Sequence, residues 1–310
     1  MTTAFFTHPA CLEHDTGPGH PERRQRLEAV LLALGEPEFA ALDRHEAPRA
    51  TLEQIARVHE RDYVEDLLAR VPQRGWAALD GDTAMSPGSG EAALRAAGAM
   101  TAAIDLVMQR GAANAFCAVR PPGHHAERDM AMGFCLFNNV AIGAAHAIAA
   151  HGVQRVAIVD FDVHHGNGTQ HIFERDARVF YASTHQMPLY PGTGARSEHG
   201  IGNICNAPLA AFSGGDAFRD AYEEIVLPAL QRFEPELLLI SAGFDAHRAD
   251  PLASLELEAE DFGWVTERLA DLAATQCRGR LVSTLEGGYD LGALAESAAA
   301  HVAALMAAKA

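Results

Sequence analysis

The chain has 310 residues, 48% of them hydrophobic, and a formal net charge of −17 at pH 7. Its length and apolar content suffice for a sizeable core, and its acidic balance argues against nucleic-acid binding, because proteins that bind phosphate backbones concentrate Lys and Arg. An acidic surface suits either a cationic substrate or simple solubility.

The predicted strands are short and almost continuously apolar, a pattern typical of strands buried on both faces of a parallel sheet. In chain order they are "TAFFTH" (3–8), "AFCAVR" (115–120), "RVAIVDFDV" (155–163), "RVFYASTH" (178–185), "ELLLISAGFD" (236–245) and "RLVSTLEGG" (280–288). Alanine-rich segments that predict helices alternate with them, at about 51–70, 91–110, 138–151, 216–232, 258–276 and 291–308. The alternation predicts an α/β fold with a parallel sheet, and because no segment resembles a linker we predict a single domain over residues 1–310.

Clusters rich in Gly, Pro and His follow these strands. They are "PPGHH" after 120, "HHGNG" after 163, "PGTG" after 190, "GFDAHRADP" after 242 and "EGGYD" after 285. Ligands of open parallel sheets bind outside the carboxyl ends of the strands, so we expect these clusters to meet at one site.

The run "DFDVHHGNG" carries candidate metal ligands. Asp160, Asp162 and His164 alternate, so in an extended chain their side chains emerge on one face. Carboxylate and imidazole ligands suit zinc, and a catalytic zinc keeps three protein ligands and an open position. Asp245, which ends another apolar run, is the natural third ligand beside Asp162 and His164. Each residue alone is better interpreted as a solvated turn acid or a core histidine, but together they predict a metal site.

Hydrolysis also needs a proton acceptor and a proton donor, and histidine serves as both near neutral pH. His124 and His125 follow two prolines and a glycine, in a turn with little conformational freedom. Asp160, which is not needed as a zinc ligand, could orient one of the imidazoles. Tyr289 could donate a hydrogen bond to an oxyanion, although a half-buried tyrosine at the start of a helix fits the pattern equally well.

Three further residues are candidates for substrate contact. Phe134 and Tyr190 lie beside glycines at expected strand ends and could line a narrow apolar channel, although aromatic residues are more often part of a core. Asp82 lies in the polar loop "LDGDTAMSPGSG", where a solvated acid is the default interpretation.

Six motifs in order, over about residues 14 to 290, resemble the zinc-dependent histone deacetylase and acetylpolyamine amidohydrolase superfamily, in detail its class II-like bacterial branch. They are "RPPGHHA", "GFCLFNN", "VDFDVHHGNGTQ", "YPGTG", "SAGFDAHRADPL" and "EGGYD", and "GHPERRQRL" (19–27) is similar to the N-terminal signature of that family. The resemblance implies the arginase/deacetylase α/β fold, a central parallel sheet of about eight strands between helices. The roles that it implies are zinc ligands at Asp162, His164 and Asp245, tandem acid/base histidines at His124 and His125, and a transition-state tyrosine at Tyr289.

Other roles come from the resemblance alone. Asp160 would orient His124, and Asn167 stands where some members carry an aspartate that orients His125. Because its side chain is neutral, Asn167 lowers the tendency of His125 to be protonated and leaves open how the two histidines share the proton transfers.

The resemblance also implies contacts with substrate, product and a structural potassium ion. Phe134, next to Gly133, and Tyr190 match the walls of an acyl-lysine tunnel, Asp82 matches a rim aspartate, and Arg26 matches an arginine of an internal product channel. The potassium ligands implied, largely through backbone carbonyls, are Asp160, Asp162, His164, Ser183 and Thr184.

The sequence thus predicts a zinc-dependent hydrolase that removes an acetyl or other acyl group from lysine-type amines. An acetylpolyamine amidohydrolase is the alternative within this class, since acids near the mouth and the net charge suit a polycation. A catalytically weak protein that binds acyl-lysine is the alternative from another class. Iron(II) could replace zinc on the same ligands. The chain could form a homo-oligomer, a dimer or a tetramer, and the native acyl group and the oligomeric state stay open.

The five cysteines form neither a disulfide framework nor a CxxC motif. The N-terminal stretch "MTTAFFTHPACLEHD" has no basic region followed by a long apolar run. No run is long enough to span a bilayer. We therefore expect a cytoplasmic protein with no membrane partner.

Overall fold

The computed structural model describes residues 2–308. Over this range the main sheet has eight strands, and every neighbouring pair is parallel. They are β1 (Thr3–Thr7), β2 (Asp43–Glu46), β5 (Asn114–Cys117), β6 (Val156–Asp160), β7 (Val179–Gln186), β8 (Ile204–Leu209), β9 (Leu237–Ala242) and β10 (Leu281–Leu285), in the spatial order β2-β1-β5-β10-β9-β6-β7-β8. A small antiparallel pair comprises β3 (Ala77–Ala78) and β4 (Ala84–Met85).

Helices flank this sheet. They are α1 (Arg24–Ala33), α2 (Leu52–Ile55), α3 (Arg61–Ala69), α4 (Ser89–Met108), α5 (Asn139–His151), α6 (Asn167–Phe173), α7 (Gly215–Ala221), α8 (Leu227–Phe233), α9 (Ala259–Gln276) and α10 (Leu291–Ala307), with 3₁₀ turns at Pro9–Leu12 and Pro37–Phe39. Helix α10 packs against α1 and α9, and α4 packs against α5. The predicted α/β class and the parallel sheet of about eight strands are confirmed, whereas the single domain over 1–310 stays a prediction.

Two strands of the sheet have no apolar run in the sequence. Strand β2, "DRHE", is an edge strand whose residues alternate between half-buried and exposed. Strand β8, "ICNAPL", lies at the other edge and contains Pro208, which an edge strand tolerates because one side of its ladder is free. The six predicted apolar runs match the six inner strands, although each observed strand ends before its run does or, for β7, one residue after it.

Two predicted helices are interrupted. The segment 51–70 divides into α2 and α3 around His59, which is 3% exposed and whose Nε2 accepts the backbone N–H of Asn138 at 2.9 Å. The segment 216–232 contains a π-helical turn at Tyr222–Val226, which ends two residues before Pro228, a residue that cannot donate a helical hydrogen bond.

The four central strands β5, β10, β9 and β6 are neighbours and end at the same edge of the sheet. The chain segments that follow them, 118–125, 286–289, 243–245 and 161–167, carry the predicted site motifs. Among the described residues, no helix is both long and apolar enough to cross a membrane.

Candidate active site

Three potential metal ligands, Asp162, His164 and Asp245, meet at this edge, and we call them the buried triad. Strand β6 ends at Asp160, so Asp162 and His164 lie in the loop that follows rather than on the predicted strand. Nδ1 of His164 lies 3.2 Å from Oδ1 of Asp162 and 3.1 Å from Oδ2 of Asp245. One ligand atom from each residue therefore lies within 4.8 Å of the other two.

The buried triad holds two carboxylates that form no ion pair with a Lys or Arg in the described part of the chain. Asp162 and Asp245 are each 1% exposed, and within residues 2–308 their ion pairs involve only histidines. Burial opposes protonation of His164, but the two carboxylates outweigh it and raise its pKa to about 10. Burial and repulsion from Asp162 raise the pKa of Asp245 to about 7. Two buried carboxylates that repel each other are stabilised by a bound cation, so the residues present fit a metal ion.

Backbone groups fix the orientation of these carboxylates. The N–H of Gly287 donates to Oδ2 of Asp162 at 2.8 Å, and the N–H of Val163 donates to Oδ1 of Asp245 at 2.8 Å. A Cβ at Gly287 would lie 2.1 Å from Oδ2 of Asp245 and 2.5 Å from Oδ2 of Asp162. Only glycine fits there without displacing a ligand.

The predicted histidine pair lies beside the buried triad. The rings of His124 and His125 are 4.0 Å apart, and Nε2 of His124 is 3.8 Å from Oδ2 of Asp162. Nδ1 of His124 lies 2.9 Å from Oδ2 of Asp160, the carboxylate predicted to orient it. Burial disfavours the charged form of His124, but Asp162 and Asp160 outweigh it and hold its pKa well above the usual range.

His125 has a neutral partner. Its Nδ1 lies 2.7 Å from Oδ1 of Asn167, whose Nδ2 donates to Oε1 of Glu127 at 2.5 Å. Because the amide nitrogen faces Glu127, the amide oxygen faces His125, and Nδ1 of His125 must carry the proton. Burial and repulsion from His124 and His164 hold the pKa of His125 well below its usual range. The tautomer leaves the Nε2 lone pair free.

Glu286 and Glu127 also belong to this site, although the sequence motifs did not predict them. Oε2 of Glu286 accepts the backbone N–H groups of Gly123 at 2.6 Å and His124 at 3.2 Å, and Oε1 accepts the hydroxyl of Ser241 at 3.1 Å. Burial raises the pKa of Glu286 to about 7. A glutamate directly after an apolar run, where a carboxylate is expensive to bury, was the available signal for Glu286, whereas nothing in the sequence linked Glu127 to Asn167.

Tyr289 lies against Arg26 in the interior. The Arg26 guanidinium is 4.7 Å from the centre of the Tyr289 ring and donates to the carbonyls of Glu286 and Gly288. A third nitrogen of Arg26 donates to Oε1 of Glu22 at 3.1 Å. Arg26 therefore holds the loop that carries Tyr289.

The predicted wall residues surround the histidines. The Tyr190 ring, 40% exposed, is 5.2 Å from the His125 ring and perpendicular to it. Phe134 is half-buried, 5.9 Å from the Tyr289 ring, and its N–H donates to the hydroxyl of Thr83. Gly133 has a φ of +56°, and a Cβ there would lie 2.4 Å from Cδ2 of His125. These contacts place the rings of Tyr190 and Phe134 next to His125 and Tyr289.

The loop that carries Asp82 contacts Phe134 through Thr83 and through His20. Asp82 is exposed and accepts the hydroxyl of Thr83 at 3.0 Å, while its backbone carbonyl lies 3.0 Å from Nε2 of His20. The ring of His20 lies 4.7 Å from that of Phe134. The residues implied for potassium lie deeper, where Asp160 of β6 and Ser183 of β7 are partners in the ladder and Thr184 follows.

Comparison with known proteins identifies the family. The histone deacetylase domain model matches residues 20–305. An uncharacterized protein of Synechocystis is 43% identical over 291 residues, 92% of this chain and 93% of that protein. A probable deacetylase of Archaeoglobus fulgidus is 40% identical over 95% of this chain and 83% of that protein. A histone deacetylase-like amidohydrolase of Pseudomonas aeruginosa is 41% identical over 93% of this chain and 81% of that protein. The crystal structure of the HDA15 HD domain superposes with a TM-score of 0.91 and 35% identity over 99% of this chain and 89% of the other.

The fold and the sequence together define a hydrolase of the α/β deacetylase class. The chain belongs to the histone deacetylase domain family, as the resemblance of its motifs predicted.

Proposed function

We propose that this protein hydrolyses the amide bond of an acylated lysine-type amine, with acetyl-lysine as the leading substrate. The observation that carries the proposal is the buried triad, whose three metal-ligating atoms converge beside a pair of oriented imidazoles. The names of the relatives from Archaeoglobus fulgidus and Pseudomonas aeruginosa support the same reaction class.

Zinc is the metal that suits the donor set best. Asp162, His164 and Asp245 supply two carboxylates and one imidazole, and a catalytic zinc site has three protein ligands and one open position. A zinc ion held there would supply Lewis acidity, which polarises an amide carbonyl and acidifies a water molecule. Iron(II) accepts the same ligands, and availability decides between the two.

His125 is the proposed proton carrier. Its Nδ1–H donates to Asn167, so Nε2 can take the proton of an attacking water and return it to the leaving amine. Asp160 holds Nδ1 of His124, so that the imidazole of His124 faces the reaction centre in a fixed orientation. The Asn167–Glu127 contact is what specifies the tautomer of His125.

Tyr289 is the proposed donor to the oxyanion. Its loop is held by the Arg26 contacts with the carbonyls of Glu286 and Gly288, which limits movement of the phenol. Arg26 also lies on the interior side of this loop, where departing acetate would meet its charge. Tyr289→Phe should lower kcat/KM on the order of 10²–10³-fold with zinc content unchanged, because one oxyanion donor is lost.

Phe134, Gly133 and Tyr190 are the proposed walls around the acyl chain. Gly133 lets the wall approach the His125 ring, and Tyr190 covers that ring from the solvent side. Asp82 and its neighbour Asp80 place carboxylates at the rim, which would favour a cationic chain. That rim keeps an acetylpolyamine as the second candidate substrate.

Potassium is proposed as a structural ion beneath the zinc site. Asp160, Asp162, His164, Ser183 and Thr184 lie in and after two adjacent strands, where their backbone carbonyls could surround a monovalent cation. Support comes from this adjacency and from family membership.

Metal-dependent turnover tests the proposal. Protein stripped with a chelator and reloaded with zinc would be assayed on an acetyl-lysine peptide, acetylputrescine and acetylspermidine. Peptide turnover that is lost on chelation and restored by zinc supports the leading substrate, and a preference for the polyamines supports the alternative. Zinc-loaded protein that binds the acetylated peptide without cleaving any of the three would contradict hydrolysis and favour a binding protein.

A further inference from the structure

A second group of metal-ligating side chains lies on two helices outside the site. Asp105 belongs to α4, and His146 and His151 belong to α5. We call these three residues the helix-pair cluster. Oδ1 of Asp105 lies 2.8 Å from Nε2 of His146 and 2.6 Å from Nε2 of His151, and the three ligand atoms lie within 4.8 Å of one another.

The donor chemistry of the helix-pair cluster matches a zinc site. Two imidazole nitrogens and one carboxylate oxygen form a set that divalent zinc, nickel and copper all accept. The side chains of His146 and His151 are 7% and 17% exposed, and that of Asp105 is 42% exposed. The imidazoles are therefore held by packing, while the carboxylate side is open to water as a fourth ligand.

The hydrogen bonds of His146 fix its protonation. Nη1 of the Arg57 guanidinium lies 2.9 Å from Nδ1 of His146, and a guanidinium can only donate. Nδ1 of His146 is then an acceptor, so the imidazole is neutral and its Nε2–H donates to Asp105. A metal binds the lone pair of a neutral imidazole, so on binding the Nε2 proton of His146 must move to Nδ1 as Arg57 withdraws. The proton that Nε2 of His151 donates to Asp105 must likewise move to Nδ1 of that ring.

We propose that the helix-pair cluster is a second, non-catalytic site for a divalent transition metal, with zinc as the expected ion, and that this ion joins α4 to α5. A ligand that binds only the folded state stabilises it by mass action. Because α4 and α5 pack against each other, an ion that bridges them adds to that contact. The site makes no use of the proposed catalytic residues.

Zinc stoichiometry and thermal stability test the site without any activity assay. Chelated full-length protein would be titrated with ZnCl₂ by calorimetry, and bound zinc would be counted by elemental analysis after desalting. Wild type should bind two equivalents. His151→Ala, and His151→Gln as a better volume match, should each bind one equivalent of zinc with wild-type affinity. Their affinity for the second equivalent, at the helix-pair cluster, should fall by at least about tenfold, because loss of even an outer-sphere partner costs roughly 10–100-fold.

Two controls separate the sites. His199→Ala removes an exposed imidazole elsewhere and should keep both equivalents and the wild-type rise in Tm with zinc. Asp245→Asn should lose the equivalent of the buried triad and keep the one at the helix-pair cluster. The second site is overturned if His151→Ala and His151→Gln bind as much zinc as wild type with the same affinities. It is also overturned if wild type binds one equivalent and Asp245→Asn binds none.

Discussion

The buried triad and the helix-pair cluster contain the same ligand types, yet their spacing and burial differ. In the buried triad the imidazole nitrogen lies 3.1 and 3.2 Å from the carboxylate oxygens. Neighbouring ligands of a tetrahedral zinc with bonds of about 2.0 Å are about 3.3 Å apart. In the helix-pair cluster the nitrogen–oxygen distances are 2.6 and 2.8 Å, which are hydrogen-bond lengths.

Because of this difference, the buried triad needs a cation to offset its buried charge, whereas the helix-pair cluster is stable without one. The buried carboxylates have no Lys or Arg partner among residues 2–308, so a bound cation removes a large desolvation cost. The helix-pair cluster is already satisfied by two hydrogen bonds to a half-exposed carboxylate. Zinc should accordingly matter for catalysis at the first and only for stability at the second.

The largest expected difference in activity comes from neutralising one carboxylate in the buried triad and one in the helix-pair cluster. Asp245→Asn should lower kcat/KM on the acetyl-lysine peptide on the order of 10⁴-fold or more, because Lewis acidity contributes several kcal/mol to such hydrolyses. Asp105→Asn should stay within about twofold of wild type, as expected for a surface change away from the chemistry. Steady-state kinetics of the zinc-loaded proteins measures both.

Equal losses in the two variants would contradict the comparison. Circular dichroism and the zinc content of each protein would show whether a loss reflects unfolding instead. An Asp245→Asn protein within about tenfold of wild type, a difference of only about 1.4 kcal/mol, would remove Asp245 from the proposed zinc site.

The next effect concerns the imidazoles of the two regions. His125→Ala should lower kcat/KM on the order of 10²–10⁴-fold, because a positioned proton carrier is lost. His151→Ala removes an imidazole of the same size from the helix-pair cluster and should retain activity. Near-wild-type turnover by His125→Ala, with a normal complement of zinc, would show that another group transfers the proton.

The predictability of the fold follows from burial. The six inner strands are apolar because helices cover both faces of the sheet, and this pattern is visible without a structure. The edge strands β2 and β8 face solvent or a single neighbour, so their sequences carry polar residues and Pro208. The break at His59 depends on a hydrogen bond to Asn138, a long-range contact that local periodicity does not reveal.

A site residue could be predicted from the sequence where it belongs to a local motif. His124, Asp162 and Asp245 lie at or shortly after the carboxyl ends of apolar runs, and the parallel topology brings such positions together. Their roles remain predictions. Glu127 reaches Asn167 across 40 residues, and the helix-pair cluster joins α4 to α5 across more than 40. No short motif encodes contacts of that kind.

Glu22 provides the opposite case, a buried carboxylate that is compensated. It is 0% exposed and accepts hydrogen bonds from both Arg26 and Arg120. Glu22→Gln should lower the free energy of unfolding by about 3–5 kcal/mol, because two buried guanidinium groups lose their counter-charge. Glu91, which pairs with two arginines at 30% exposure, is the matched control, and Glu91→Gln should cost about 1 kcal/mol or less. Urea unfolding measures both.

The pH dependence of this stability has a defined sign. Burial opposes ionisation of Glu22, but Arg120 and His14 outweigh it and hold its pKa well below the usual range. A carboxyl with a depressed folded-state pKa stabilises the protein above its unfolded pKa of about 4.3 and loses that contribution as pH falls further. Wild type should therefore lose more stability than Glu22→Gln between about pH 5 and pH 3. Parallel pH profiles of the two proteins would exclude this source of acid sensitivity.

The smallest effect concerns the residue that opposes metal binding at the helix-pair cluster. Arg57 donates to Nδ1 of His146 and thereby keeps the proton on Nε2, the atom that zinc needs. Arg57→Ala removes the charged and nearer of two donors to Nδ1, the other being Nε2 of Gln54 at 3.4 Å. The proton can then move to Nδ1, so zinc affinity at this cluster should rise by about tenfold, the worth of one hydrogen bond to a charged donor. Affinity at the buried triad should not change, because Arg57 does not contact it. Calorimetric titration of chelated Arg57→Ala beside wild type resolves the two sites, and a weaker second equivalent in the variant would mean that Arg57 supports the imidazole rather than competing with the ion.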